Sequence, residues 1–328
     1  MKTFIVNSKN PSSFEETNFK CPIAKGRDVL IRVKSIAPCE VDVALRTKRV
    51  GEVIGTDAAG IIVETGRDVK GFRVGDEVYY HSDHSREGCH SEFHLINEER
   101  LARKPVSMSF EEAATMPGST LLAYESLFDS LQVDPEVSRG KSLLITNSRC
   151  SVSAMVVQLA ANLTNLVIFT IASNDEEAEY MQAMGADYIL DDSFSLDTQL
   201  KHYGLKRVDF IFSIVKEYDD ILRIRSITDR DSRATYLISS QHENEVMNHF
   251  DSRLNFEQDF IFCGESQCSS LENQGERLKE IAELIDAGAF ESLLTANLGI
   301  IDEESLAYAH RMVENDQLLG KVVLNYSE

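Results

Sequence analysis

Two stretches of the chain carry side chains able to do chemistry. The first, HSDHSREGCHSEFH, sets His81, His84, Cys89, His90 and His94 close together. Imidazole and thiolate suit a borderline-soft cation such as zinc. Their spacing matches no structural-zinc pattern, so the segment is expected to be a polar loop and strand in which histidine tolerates solvent, with no metal. The second is the turn Asn147-Ser148-Arg149-Cys150-Ser151-Val152-Ser153-Ala154, which joins an apolar strand to an apolar helix. A turn of this kind can hold a diphosphate on the free N–H groups of the helix that follows. Glycines normally give it a tight bend and let the backbone approach the phosphates. Here none remains. Ser148, Cys150, Ser151, Ser153 and Ala154 are small enough to keep helix and strand close. Arg149 has two possible uses: to add positive charge to a diphosphate, or to fill its place.

The elements that must position these residues fall into two regions. Up to about residue 108 the chain reads as β-rich, with short apolar stretches at Val29–Ile36, Ala58–Glu64 and Asp76–Tyr80 separated by glycine and charged turns. The opening MKTFIV reads as the first strand. SFEEAATMP announces a helix, with Ser109 as N-cap and Glu112 three residues on. A second helix is expected over about 120–131. From Lys141 strands and helices alternate: strands at Ser142–Thr146, Leu166–Ile171, Tyr188–Leu190, Val208–Ile214 and Ala234–Ser239, with Asp259–Cys263 as an edge strand. Helices are expected at Val152–Leu163, Glu176–Met184, Leu271–Ala287 and Glu303–Glu314, and a last strand at Val322–Asn325. Such alternation implies a parallel sheet covered on both faces.

The 328 residues include 33 Lys and Arg against 54 Asp and Glu, a formal net charge of −21. That balance disfavours nucleic acid and anionic membrane as partners. No apolar run approaches the roughly 20 residues that span a bilayer. The six cysteines, Cys21, Cys39, Cys89, Cys150, Cys263 and Cys268, form no CxxC pair. They read as free thiols of a reducing, cytoplasmic compartment.

The order of these regions and several local motifs resemble the medium-chain dehydrogenase/reductase superfamily. GTDAAGIIVETGRDVKGFRVGDEVYY (Gly55–Tyr80), EEAATMPGSTLLAYESL (Glu111–Leu127), GAD (Gly185–Asp187) and GKVVL (Gly320–Leu324) carry the likeness. The closest branch is that of quinone oxidoreductases and bacterial zinc-type alcohol dehydrogenase-like proteins. The resemblance implies an α/β fold: a GroES-like β-barrel catalytic domain of residues 1–112 and 267–328, around a Rossmann doubly wound parallel-sheet domain of residues 113–266. It also implies a nicotinamide cofactor.

The resemblance puts Cys39 at the first zinc-ligand position and keeps Asp42 three residues on, but the family's His-Glu pair is replaced by Thr56-Asp57. Threonine is a poor zinc ligand and one cysteine cannot build a three-ligand site, so no catalytic zinc is expected. A substrate cleft is expected to use Cys39, Asp42, Thr56, Tyr80 and Thr120, with Tyr79, Phe93 and Tyr124 nearby. Leu122 stands where the family usually has threonine. Cofactor contacts are expected from Ser148, Arg149, Cys150, Ser151 and Val152, from Ser173 and Asp175 after the second strand, and from Lys321, which has surface lysine as its alternative. Asp175 can bond the ribose of NAD(H), or cap the next helix. Acidic Asp175, Glu176 and Glu177 would repel a 2′-phosphate, so weak dinucleotide binding with NADH favoured over NADPH is expected. The implied function is a zinc-independent NAD(P)H reductase of quinones, enones or small carbonyls. The alternatives are a non-catalytic relative that uses its cleft for binding, or a zinc alcohol dehydrogenase. A homodimer through the edge strand near Phe260–Cys263 is expected.

Overall fold

In the computed structural model, fifteen strands are assigned among the described residues, which are 1–82, 84–239, 242–249, 256–263 and 274–327. The chain divides into two compact units, Met1–Leu121 with Cys268–Glu328, and Leu122–Gln267. The first crossing lies inside the helix Pro117–Tyr124, later than residue 112. The reason is packing: the short helix Phe110–Ala114 lies against strands of the first unit.

That first unit is β-rich. Strands β1 (Lys2–Val6) and β2 (Phe14–Asn18) form an antiparallel pair. A seven-stranded sheet contains β3 (Asp28–Ile36), β4 (Asp57–Thr65), β5 (Glu77–His81), β6 (Phe93–Asn97), β7 (Leu101–Arg103), β14 (Leu294–Ile300) and β15 (Lys321–Asn325). The order is β14-β15-β3-β4-β5-β7, with β6 on β3. The strands from the end of the chain join those from its start because β15 pairs antiparallel with β3. Strand β4 pairs with β5 so that Asp57 lies directly opposite His81. The alternation of side chains along a strand puts Tyr79 and His81 on one face and Tyr80 on the other. The helix Gln274–Asp286 closes against β7, with Tyr79 Oη donating to the carbonyl of Leu278 at 2.5 Å. The helix Glu303–Glu314 packs on β2 and on the helix Glu40–Lys48.

In the second unit six parallel strands follow the order β10-β9-β8-β11-β12-β13. They are β8 (Ser142–Ile145), β9 (Val167–Ala172), β10 (Tyr188–Asp191), β11 (Phe210–Val215), β12 (Arg233–Ser239) and β13 (Glu257–Cys263). Renumbered along this unit, the order is 3-2-1-4-5-6, that of the dinucleotide-binding doubly wound sheet. The strands are near-continuous apolar runs because both faces are covered. Leu144, Phe169, Ile211 and Tyr236 anchor the resulting core. Strand β13 lies at one edge of this sheet and β10 at the other.

Most expected elements sit within a few residues of their observed limits. The capping box at Ser109 is present, with Glu112 N donating to Ser109 Oγ at 3.2 Å and Ser109 N to Glu112 Oε2 at 2.8 Å. The expected helix over 120–131 is instead Pro117–Tyr124 followed by a π-helical turn, Glu125–Ser130. The first residues of the expected helix Leu271–Ala287 lie outside the described residues, as does Cys268.

Candidate active site

Asp57 opens β4, fully buried, and three groups converge on its carboxylate. Gly118 N donates to Oδ1 at 2.9 Å, His81 Nδ1 bonds the same oxygen at 2.7 Å, and the Lys321 ammonium forms an ion pair with Oδ2. Lys321 is the first residue of β15 and only 3% exposed. Burial opposes the charge on both partners. The Lys321 and His81 interactions nevertheless hold the Asp57 carboxyl below its usual range, and Asp57 pushes Lys321 up. Both are therefore ionised at neutral pH. A carboxylate accepts only, so His81 donates from Nδ1. Its Nε2 is buried and has no hydrogen-bond partner among the described residues. Gly118 is a steric condition for this arrangement. A Cβ there would lie 2.8 Å from both Asp57 oxygens and from His81 Nδ1.

Cys39 and Asp42 enter the same neighbourhood from the helix Glu40–Lys48. Cys39 is its N-cap, and Asp42, three residues on, accepts from Cys39 N at 3.0 Å. Cys39 Sγ lies 3.3 Å from Thr56 Oγ1. Burial pushes the Cys39 thiol well up, reinforced by Asp42. Burial also pushes the Asp42 carboxyl up to about 7, against the pull of the Cys39 amide. Asp42 Oδ1 has no partner among the described residues.

These observations test the fit of the zinc that the family implies. A zinc ligand set needs a thiolate and further N, S or O donors. Cys39 is instead a protonated thiol against a threonine hydroxyl, Asp42 accepts from the Cys39 amide, and the Asp57 carboxylate is already neutralised by Lys321. A dication would compete with an ammonium already in place. The residues do not fit zinc. Among the described residues no group of three or more His, Cys, Asp or Glu side chains is arranged to hold a metal.

The structure brings Cys39, Asp42, Thr56 and Lys321 into one cluster and adds Asp57, His81 and Gly118 to it. It does not bring Tyr80. That residue points into the barrel, fully buried, with its hydroxyl 3.0 Å from His94 Nδ1. Thr120 is buried, and its hydroxyl has no partner among the described residues. Lys321 is not a surface lysine: it is buried, with its ammonium paired to Asp57. The expectation of solvent-tolerant histidines is corrected as well. His81, His90 and His94 are all buried, and His90 packs at right angles to His310, 5.3 Å away between ring centroids.

The second unit holds a pocket where its strand order reverses, outside the carboxyl ends of β8, β9 and β11. Such a switch point is where open α/β sheets bind ligands. Thr146–Arg149, Ile171, Ser173, Glu177 and Lys216 contribute to its wall, and its volume is about 220 Å³. The altered turn is built without strain: no residue of 146–154 has a positive φ. Arg149 N donates to Asn147 Oδ1 at 3.0 Å, and the Ser148 hydroxyl donates to the carbonyl of Ile171. Ser151, Ser153 and Ala154 are buried, so close helix–sheet packing survives the loss of glycine. Cys150, Ser151 and Val152 continue into the helix N-terminus, with Cys150 as N-cap.

Arg149 does not stand open toward a phosphate. Its Nη1 donates to Glu177 Oε1 at 2.6 Å. The next turn is capped by Asn174, not Asp175: Glu177 N donates to Asn174 Oδ1 at 3.0 Å. Asp175 is exposed in the first helical turn, where its charge complements the helix dipole. The carboxylates expected to repel a 2′-phosphate are not the only charges at this pocket. Arg149 and Arg223 both line the pocket, the latter bound to Asp192 at 2.5 Å. They are neighbours in space only.

With this geometry in view, the comparisons with known proteins agree. Residues 25–123 match the alcohol dehydrogenase GroES-like domain, and residues 184–324 match the zinc-binding dehydrogenase family. A zinc-type alcohol dehydrogenase-like protein of Staphylococcus epidermidis is 31% identical over 95% of this chain and 94% of its own. A crystal structure from Rhizobium etli CFN 42, of a protein assigned as a zinc-dependent alcohol dehydrogenase, superposes with a TM-score of 0.89. It is 29% identical and covers 100% of this chain and 98% of its own. The NADPH-dependent alkenal/one oxidoreductase of Arabidopsis thaliana is 33% identical over 54% of this chain and 48% of its own. The chain belongs to the medium-chain dehydrogenase/reductase superfamily of oxidoreductases, in company with the zinc-type alcohol dehydrogenase-like proteins.

Proposed function

We propose that this chain is a zinc-independent NAD(P)H reductase of quinones, enones or small carbonyls, with weakened dinucleotide binding. The observation that carries the cofactor half is the pocket at the switch point of a sheet ordered 3-2-1-4-5-6. Ser148 and Ser173 would hold the dinucleotide there, with Arg149 once it is released from Glu177, together with amides at the start of the helix Ser151–Leu163. When bound, the nicotinamide supplies or accepts hydride. The zinc-independent half rests on Lys321, which already neutralises Asp57, and on the Cys39–Thr56 contact.

On the substrate side the chain offers proton-holding groups. Asp42, with its carboxyl near 7, can carry a proton at neutral pH. His81, oriented by Asp57, presents a buried Nε2 that has no partner among the described residues. Such positioned acids and bases complement hydride transfer to a carbonyl or enone.

The preference for NADH over NADPH is kept as part of this proposal on a revised ground. The Arabidopsis relative is named for NADPH, but here each arginine of the pocket is already held by a carboxylate. A 2′-phosphate would have to displace one. A second reading, a binding protein without turnover, is favoured by one observation, the Arg149–Glu177 pair within the pocket. The edge strand β13 supports pairing into a homodimer, which would cover its free backbone groups. No helix among the described residues is long and apolar enough to cross a membrane.

The experiment is steady-state oxidation of NADH and NADPH against quinones, enones and aldehydes, before and after chelator treatment. Turnover that survives the chelator is expected. Loss of turnover on chelation, restored by zinc, would overturn the zinc-independent half; no turnover with any acceptor would favour the second reading.

A further inference from the structure

The Arg149–Glu177 pair joins the two turns between which a dinucleotide would enter: the turn after β8 and the turn after β9. We infer that this pair is a latch built into the dinucleotide pocket, so that Arg149 and not the lost glycines sets how tightly a dinucleotide binds. The inference rests on the reductase reading of the previous section.

Three observations support it. First, Glu177 is satisfied without any ligand. Its Oε1 accepts from Arg149 Nη1 at 2.6 Å and from Asn174 Nδ2 at 3.0 Å, and its Oε2 accepts from Ser173 N at 2.9 Å. A carboxylate has about four acceptor sites, so three are in use, one of them by the arginine. Glu177 is almost fully buried, with a side-chain exposure of 5%, and the arginine at 34% is the partner able to move.

Second, the pocket is small and electrically closed. Its volume of about 220 Å³ is below the roughly 300–1,000 Å³ usual for a ligand site. Arg149, Lys216 and Arg223 are balanced by Glu177, Asp192 and Asp220. The Arg223–Asp192 pair fixes a second side of the same wall. A diphosphate therefore meets no net positive charge until a pair opens.

Third, the turn itself needs no glycine. With no positive φ in 146–154, its backbone is already one that any residue adopts. The obstacle to a diphosphate is a side chain and not the path of the chain.

The test is titration of full-length protein with NADH, followed by nicotinamide fluorescence, in the wild type, Arg149→Gly and Glu177→Gln. Both variants are expected to bind about tenfold more tightly than the wild type, the factor set by one charge-assisted hydrogen bond that no longer has to be broken. Glu177→Gln releases Arg149 to the diphosphate, so its affinity should fall more steeply with salt than that of Arg149→Gly. Because Glu177→Gln changes little but charge, it carries the test if the glycine variant does not fold. Wild-type protein that binds NADH well, with both variants equal or weaker, would show that Arg149 is a plain phosphate ligand. That overturns the latch and leaves the reductase reading standing. No binding by any of the three overturns both.

Discussion

Replacing Lys321 by methionine should unfold the first unit far more readily than its surface-like sequence context suggests. The substitution keeps an unbranched apolar stem and removes only the ammonium. Asp57 then remains fully buried with two donors, Gly118 N and His81 Nδ1, and no cation. Removing one partner of a buried pair typically costs about 3–5 kcal/mol, because the other charge is left uncompensated. The double variant Asp57→Asn/Lys321→Met removes both charges and should recover most of the loss, since a neutral pair in the same volume is often tolerated. Urea unfolding of the wild type, both single variants and the double variant measures the coupling between the two sites. A loss below about 1 kcal/mol in Lys321→Met, the size of an exposed pair, would refute the burial and pairing argued here. So would a double variant as unstable as the single one.

Asp42→Asn should stabilise the fold above neutral pH. The folded carboxyl sits near 7 and the unfolded one near its ordinary value of 3.8, so native protein keeps a proton that unfolded chain has lost. Stability from this group therefore falls as pH rises through that window, by up to about 4 kcal/mol. The asparagine variant should show a flatter stability–pH curve between about pH 4 and 7 in urea titrations; an unchanged slope would reject the assignment. The buried histidines act in the opposite sense. Burial lowers His90 to about 3 and His94 to about 4, so the unfolded chain binds protons first and stability falls with pH below about 6.5. His90→Phe should lose less stability than wild type between pH 7 and pH 5, measured by thermal melting; an equal loss would count against it. Gly118→Ala should destabilise the protein and displace His81, because the added methyl would meet Asp57 and the imidazole at 2.8 Å. A crystal structure of that variant with the Asp57–His81 bond intact would contradict this.

The parts of this molecule set by local pattern were legible in the sequence. Strand–helix alternation from Ser142 onward and the capping box of Ser109 and Glu112 depend on neighbours within a few residues. Cys39 and Asp42 were singled out through the family resemblance, and the structure sets them within one helical turn. The Asp57–Lys321 pair was not legible because its members are 264 residues apart and meet only when β15 docks beside β3. His81 was read as a solvent-tolerant residue because nothing local shows that the β4–β5 register sets it against a buried carboxylate. The one available signal was Gly118, a glycine inside a helix, which asks what occupies the missing side chain's place. In the pocket, Arg149 and Glu177 were each noticed, but their union needs β8 and β9 to be neighbours. Strand β14 was missed because LTANLGI is half-exposed and carries no apolar run.

Hydride transfer without zinc is tested most directly by isotope tracing. NADH and NADPH bearing deuterium at the transferring carbon are incubated with an enone and with protein whose zinc content has been measured. The account predicts product carrying one deuterium from protein holding well below one zinc per chain, with NADH the better donor. Product without deuterium, or label that appears only after zinc is added back, would contradict it.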